Sequence, residues 1–227
     1  MISVVITAYD RKQYLDEAVA SAFNQTRQPD EVIVITNFEY SSNYTIEHIL
    51  DKEAEPLNIT KFVWKAIESA KGDIIAPLED DDKFLPNRIE KIANAFSDPN
   101  VIFFYNSNIG RKPDKNDNLK FGRGSSQMAF KKDILDKRFL EIKAIPDTAY
   151  YFLALEKTEA NPNLKIVATD EVLTEYRVHT DNLSINSNRH EAWKKARDMD
   201  LLNLPKLFPT GKAHELALEM LRWDYGH

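Results

Sequence analysis

The sequence predicts an α/β fold: a Rossmann-like, mostly parallel sheet flanked by helices, with a helical C-terminal extension. Two apolar runs, Ile2 to Ala8 and Glu31 to Thr36, are apolar nearly throughout rather than alternating, as strands are when helices cover both faces of a parallel sheet. Between them Leu15, Ala18, Val19, Ala22 and Phe23 recur at helical spacing, which completes a βαβ unit. A third run, Asp73 to Leu78, leads directly into the acidic stretch LEDDD, Leu78 to Asp82, and so delivers carboxylates to the carboxyl end of a buried strand. Open α/β folds bind their ligands at that edge.

The remaining elements follow in order. Helical patterns around Ile46 to Ala54 and Phe62 to Ala70 come after the second strand, and Gly72 is a helix stop. Pro86 to Phe96 predicts a helix, with proline in its first turn and Ile89, Ile92, Ala93 and Phe96 on one face. Asp98, Pro99 and Asn100 turn the chain into a strand over Val101 to Ser107. The polar stretch Asn108 to Gly124 reads as a surface loop or hairpin. Beyond it come a strand (Ser125 to Phe130), a helical turn (Lys132 to Asp136), a helix (Asp147 to Lys157) and two strands (Leu164 to Ala168, Val172 to His179). From about Arg189 the chain is helical, with a break at Leu204 to Gly211. The expected division is a catalytic domain over 1–186 and a helical extension over 187–227 packed on it.

Composition narrows the function. With 227 residues, 43% of them hydrophobic, the chain can bury a sizeable core. The absence of cysteine excludes disulfides, thiolate metal sites and a cysteine nucleophile. A formal charge of -6 and a pI near 5.5 disfavour a general nucleic-acid surface and point to small molecules as partners. No apolar run approaches the length of a membrane helix, so the expected location is cytoplasmic, with at most peripheral contact at the inner membrane face.

Glu79, Asp80, Asp81 and Asp82 are crowded carboxylates that repel one another unless a cation is present. Oxygen ligands of this kind favour Mg, Mn or Ca over zinc, and a divalent cation holding a phosphate fits them. A solvated acidic turn before the Pro86 helix is the alternative.

Five blocks, SVVITAYDRKQYLDEAVASAFNQT, EVIVI, AKGDIIAPLEDDDKFLP, GSSQMAFKKDIL and YRVHTDNLS, stand in an order that resembles the family 2 glycosyltransferases of GT-A fold, over roughly residues 2 to 185. The resemblance implies an inverting, metal-dependent transfer of a sugar from a nucleotide-sugar donor to a hydroxyl of a saccharide, glycan or glycolipid. The family's short acidic motif falls on Glu79 and Asp81, with Asp80 between them. It implies Asp81 as first direct ligand of a Mn or Mg ion, Glu79 beside it, and His179 as a further ligand or phosphate contact. The catalytic base falls on Asp147, which would take the acceptor's proton; a plain N-cap is its other reading.

The nucleotide pocket departs from the family's pattern. Thr7, Ala8 and Tyr9 stand where a Pro, Thr, Tyr run is usual, and Tyr9 suits stacking on a base. Asn37 or Thr36 replaces the aspartate that reads the base, and an arginine and asparagine of the following helix fall on Val63 and Trp64, with Lys61 or Lys65 as electrostatic substitutes. Two other classes stay open: a non-catalytic nucleotide-sugar or glycan-binding module of the same fold, and a sugar nucleotidyltransferase. The C-terminal helices are open to covering the acceptor side, forming a homodimer or docking weakly on a membrane.

Overall fold

The computed structural model describes residues 1–109, 124–180, 182 and 190–225. Its centre is an eight-stranded mixed sheet in the order β3-β2-β1-β4-β7-β6-β8-β5. The strands are β1 (Ile2–Ala8), β2 (Glu31–Thr36), β3 (Glu47–Leu50), β4 (Ile74–Glu79), β5 (Lys83–Phe84), β6 (Val101–Ile109), β7 (Met128–Lys131) and β8 (Lys165–Glu175). β3, β2, β1 and β4 run parallel; β7 is antiparallel to both β4 and β6, and β8 runs parallel to β6. The helices are α1 (Leu15–Phe23), α2 (Ile59–Ser69), α3 (Arg88–Ala95), α4 (Pro146–Ala160), α5 (His190–Leu207) and α6 (Gly211–Tyr225).

The apolar runs of β1 and β2 are explained by the two cores they separate. Val4 and Ile6 pack with Val32 and Val34 under α1 and α3, while Val5, Ile33 and Ile35 face α2, α4 and the C-terminal helices. Each strand therefore needs an apolar side chain at both phases of its pleat. Leu201, Leu204, Phe208, Ala213 and Ala217 of α5, α6 and their connection lie in the same core as Phe152 and Leu153 of α4. Phe208 meets Phe152 edge-on at 5.3 Å.

Four local expectations change. The helical pattern at Ile46 to Ala54 is instead the edge strand β3, paired in parallel with β2 from Ile33↔Glu47 to Thr36↔Leu50, followed by irregular chain. Four half-exposed residues are too few to show a period of two, and hydrogen bonding along the open edge of β2 decides their conformation. The strands at Leu164 to Ala168 and Val172 to His179 are one strand, β8, which ends at Glu175. It bends where the partner of β6 jumps from Thr169 to Val172, and residues 176–179 are irregular. Ser125–Gln127 forms a 3-10 turn before β7 rather than the start of a strand. The loop assigned to Asn108 to Gly124 begins inside β6 and, over 110–123, lies outside the described residues. Gly72 lies just beyond the end of α2 and is held by close packing: a Cβ there would stand 2.3 Å from Ser3 Oγ and 2.9 Å from the Met1 carbonyl.

Candidate active site

β1 and β4 pair in parallel with Thr7 opposite Glu79, so the carboxyl ends of both strands open on one edge. Just past β4 the Asp82 amide donates to the Glu79 carbonyl at 3.1 Å, and this tight turn sorts the four acids. Oxygens of Glu79, Asp81 and Asp82 converge within 4.8 Å of one another. Asp80 turns the other way, into an ion pair with Arg11. Asp80, Asp81 and Asp82 are only 3%, 6% and 2% exposed, so the solvated-turn reading of this segment fails.

Charge is concentrated here in low dielectric. Burial, then the charges of Asp82, Asp81 and Asp147, hold Glu79 well above the usual carboxylate range, with Arg11 opposing. Burial pushes Asp80 up to about 6 against the pull of Arg11. Burial, then Asp81, pushes Asp82 up to about 7. Carboxylates held this way gain by a divalent cation, and three converging oxygen groups suit a hard ion such as Mg or Mn. The residues therefore fit the metal that the sequence suggests.

Positive and neutral groups frame the acids. Arg11 reaches Asp81 Oδ2 at 2.8 Å as well as Asp80. The His179 Nε2 lies 3.0 Å from the same Asp81 oxygen, and Asn182 Nδ2 donates to it at 3.2 Å. Asn182 Oδ1 in turn accepts from the His179 amide at 2.6 Å, which ties these two residues together. Arg177 donates from its amide to Asp82 at 3.2 Å and from Nε to the Asp81 carbonyl at 3.1 Å, with its guanidinium 4.5 Å from the Tyr14 ring. His179 thus joins the acidic group through Asp81, while the three-oxygen cluster is completed by Asp82.

On the β1 and β2 side, Thr7 and Ala8 end β1, and Tyr9 meets Phe62 edge-on at 5.8 Å while its hydroxyl donates to the Ala54 carbonyl at 3.2 Å. Phe62 and Ala54 line a small cavity of about 110 Å³ together with Asp51 and Lys65, which form an ion pair. Asn37 is tied to Asp10: its Oδ1 accepts from the Asp10 amide at 2.8 Å, and its Nδ2 donates to the Asp10 carboxylate at 2.6 Å. Asp10 has φ +54°, a left-handed turn that this pair of bonds holds. Lys61 pairs with Glu55.

Asp147 stands in the first turn of α4, behind Pro146. Its charge acts on Glu79 and on the buried Tyr150, so it belongs to the same electrostatic group as the acidic turn.

Sequence reasoning left Asp82 among the crowded acids without a role of its own, and missed Arg11 and Ser126, whose Oγ accepts from the Glu79 amide at 2.9 Å. Arg11 and Ser126 sit inside quoted blocks, but neither carries a local signal of facing residues 47 or more positions away. Asp82 was visible only as one more acid; the turn that swings it beside Glu79 was not.

An α/β sheet with clustered acids at the carboxyl end of a parallel strand, and helices over both faces, is the arrangement of a GT-A fold. Glycosyl transferase family 2 matches residues 3–153, and the chain belongs to that family. A protein of Haemophilus influenzae described as an uncharacterized glycosyltransferase is 33% identical over 104 residues, which cover 40% of this chain and 31% of that one. The matched part therefore spans about a third of that relative's length. S. aureus TarS in complex with UDP-GlcNAc superposes with a TM-score of 0.65 at 15% identity, over 99% of this chain and 73% of that one. The mannosyltransferase PcManGT of Pyrobaculum calidifontis, in complex with GDP-Man and Mn2+, gives a TM-score of 0.64 at 16% identity, over 100% and 76%. Among the described residues, no helix is long and apolar enough to cross a membrane.

Proposed function

We propose that the protein is an inverting, metal-dependent glycosyltransferase that moves a sugar from a nucleotide-sugar donor to a hydroxyl of a saccharide, glycan or glycolipid. One observation carries this: oxygens of Glu79, Asp81 and Asp82 converge, and the charge of Asp147 acts on Glu79, which supports a diphosphate anchor and a base in one site. A bound Mn or Mg ion supplies the positive charge that offsets the leaving diphosphate. The neighbouring structures' UDP-GlcNAc, GDP-Man and Mn2+ support a donor and ion of this kind.

In this reading Glu79, Asp81 and Asp82 hold the ion, and His179 orients Asp81 or touches the diphosphate. Thr7, Ala8 and Tyr9 floor the nucleotide, whose base points toward the cavity beside Tyr9, where Asp51 and Lys65 offer polar groups. The acceptor hydroxyl attacks the anomeric carbon from the face opposite the diphosphate. As the new C–O bond forms, the bond to the diphosphate oxygen breaks and the hydroxyl proton passes to Asp147. In-line displacement of this sort inverts the anomeric centre.

Asp147→Asn is expected to keep nucleoside diphosphate affinity while turnover falls about 10²- to 10⁴-fold. Wild-type turnover in that variant, measured with a panel of nucleotide-sugar donors, would remove Asp147 from the role. A non-catalytic donor-binding module is the second reading, favoured by Asn37, which is committed to Asp10. Calorimetry separates the two: binding of a nucleoside diphosphate with Mn or Mg, without hydrolysis or transfer of any donor, selects the module.

A further inference from the structure

Asp147 follows a stretch of chain that supplies no side-chain cap to its helix. Ile145 stands at the N-cap of α4 without a side-chain hydrogen bond, and Pro146 opens the first turn. Residues 142–144 are instead gripped from two sides. From α2, the buried Thr60 donates its hydroxyl to the Ile142 carbonyl and its amide to the Lys143 carbonyl at 3.2 Å. From α5, more than fifty residues further along, Asp200 presents its carboxylate: Lys143 N donates to both oxygens at 3.0 Å, and Ala144 N donates to Oδ2 at 2.6 Å.

Asp200 is 4% exposed, and a buried carboxylate is costly unless such donors satisfy it. Charge-assisted bonds from successive backbone amides are short and directional, so they hold the peptide planes that end at Lys143 and Ala144, two residues ahead of Pro146. Proline fixes the next φ, and Asp147 follows directly.

We propose that Asp200 is a positioning residue for the transfer reaction: by clamping Lys143 and Ala144 it sets where Asp147 stands relative to the acidic turn, which makes the C-terminal helix α5 part of the catalytic unit. This rests on the reading of Asp147 as the base. A reacting group displaced by about 1 Å can lose on the order of 10²-fold in rate, and release of this clamp frees the segment that fixes Asp147.

The test combines Asp200→Ala and Asp200→Asn with Asp147→Asn. Both Asp200 variants are expected to lose at least about 10-fold in kcat, while affinity for a nucleoside diphosphate with Mn stays within about twofold of wild type. The Asn variant preserves size and one acceptor oxygen, so it decides the matter if the Ala variant does not fold. Asp200→Glu, which keeps the charge, is expected to recover part of kcat. The discriminating readout is the double variant, because a residue that acts through Asp147 adds nothing once Asp147 is disabled. Residual turnover of Asp147→Asn/Asp200→Asn should therefore equal that of Asp147→Asn alone. Multiplied losses, or nucleotide affinity falling in step with kcat, would overturn the positioning role and leave the base assignment standing. Full turnover in Asp147→Asn alone would overturn the base assignment, and this proposal with it.

Discussion

Asp82 shows how much electrostatic tension a single residue can hold at this site. Its ordinary value of 3.8 is pushed up to about 7, first by burial and then by Asp81. A carboxyl whose folded value lies above its unfolded one favours folding in its protonated form. Its contribution is complete below about pH 4 and is lost as pH rises through about 7. Asp80, raised to about 6, acts in the same direction. In metal-free protein, the melting temperature of wild type should therefore fall relative to Asp82→Asn between pH 4 and pH 8. Parallel melting curves across that range would show that Asp82 ionises freely. A divalent cation at pH 7.5 should raise the wild-type melting temperature by mass action, since it binds the folded cluster. Asp81→Ala should abolish cation-dependent nucleoside diphosphate binding in calorimetry. Binding that still requires the cation would move the ion onto other ligands.

At the scale of elements, the acidic turn depends on a buried arginine behind it. Arg88, in the first turn of α3, is fully buried, and its guanidinium donates to the Ser126 carbonyl at 2.7 Å, the Met128 carbonyl at 2.8 Å and Thr174 Oγ1 at 3.3 Å. It thereby ties α3 to the 3-10 turn and to β8, and Ser126 passes the connection to Glu79. Arg88→Met keeps much of the volume but strips carbonyl oxygens of their donors in a dry interior. The expected loss is about 3 kcal/mol or more of stability, read from the urea midpoint; a midpoint within error of wild type would make the arginine dispensable. Elements differ in how legible they were for a similar reason. The α1 and α3 patterns could be read because each repeats its own period over about two turns. EHIL could not, because a four-residue strand on a sheet edge takes its conformation from the hydrogen bonds of β2.

For the whole molecule, the shared core is the decisive feature. α5 and α6 place Leu201, Leu204, Phe208 and Ala213 against α4, and Asp200 reaches the chain before Asp147. A chain ending at residue 187 should expose the Phe152 face of α4 and lose cooperative thermal unfolding. A sharp transition at the wild-type temperature, with intact nucleotide binding, would show instead that the extension is separable.

From the sequence alone came the βαβ start, the strand that ends in carboxylates, the helix that begins beside Asp147, and the family those blocks resemble. These depend on spacing within a few residues, where side-chain periodicity and turn chemistry act directly. Tertiary structure alone decided that Asp80 turns to Arg11 while Asp82 joins Glu79 and Asp81, that His179 and Asn182 meet at one Asp81 oxygen, and that Asp200 grips the approach to Asp147. Strand order and helix packing bring those groups together from as far as 101 positions apart, and a burial energy summed over the whole core, rather than any local pattern, selects that order.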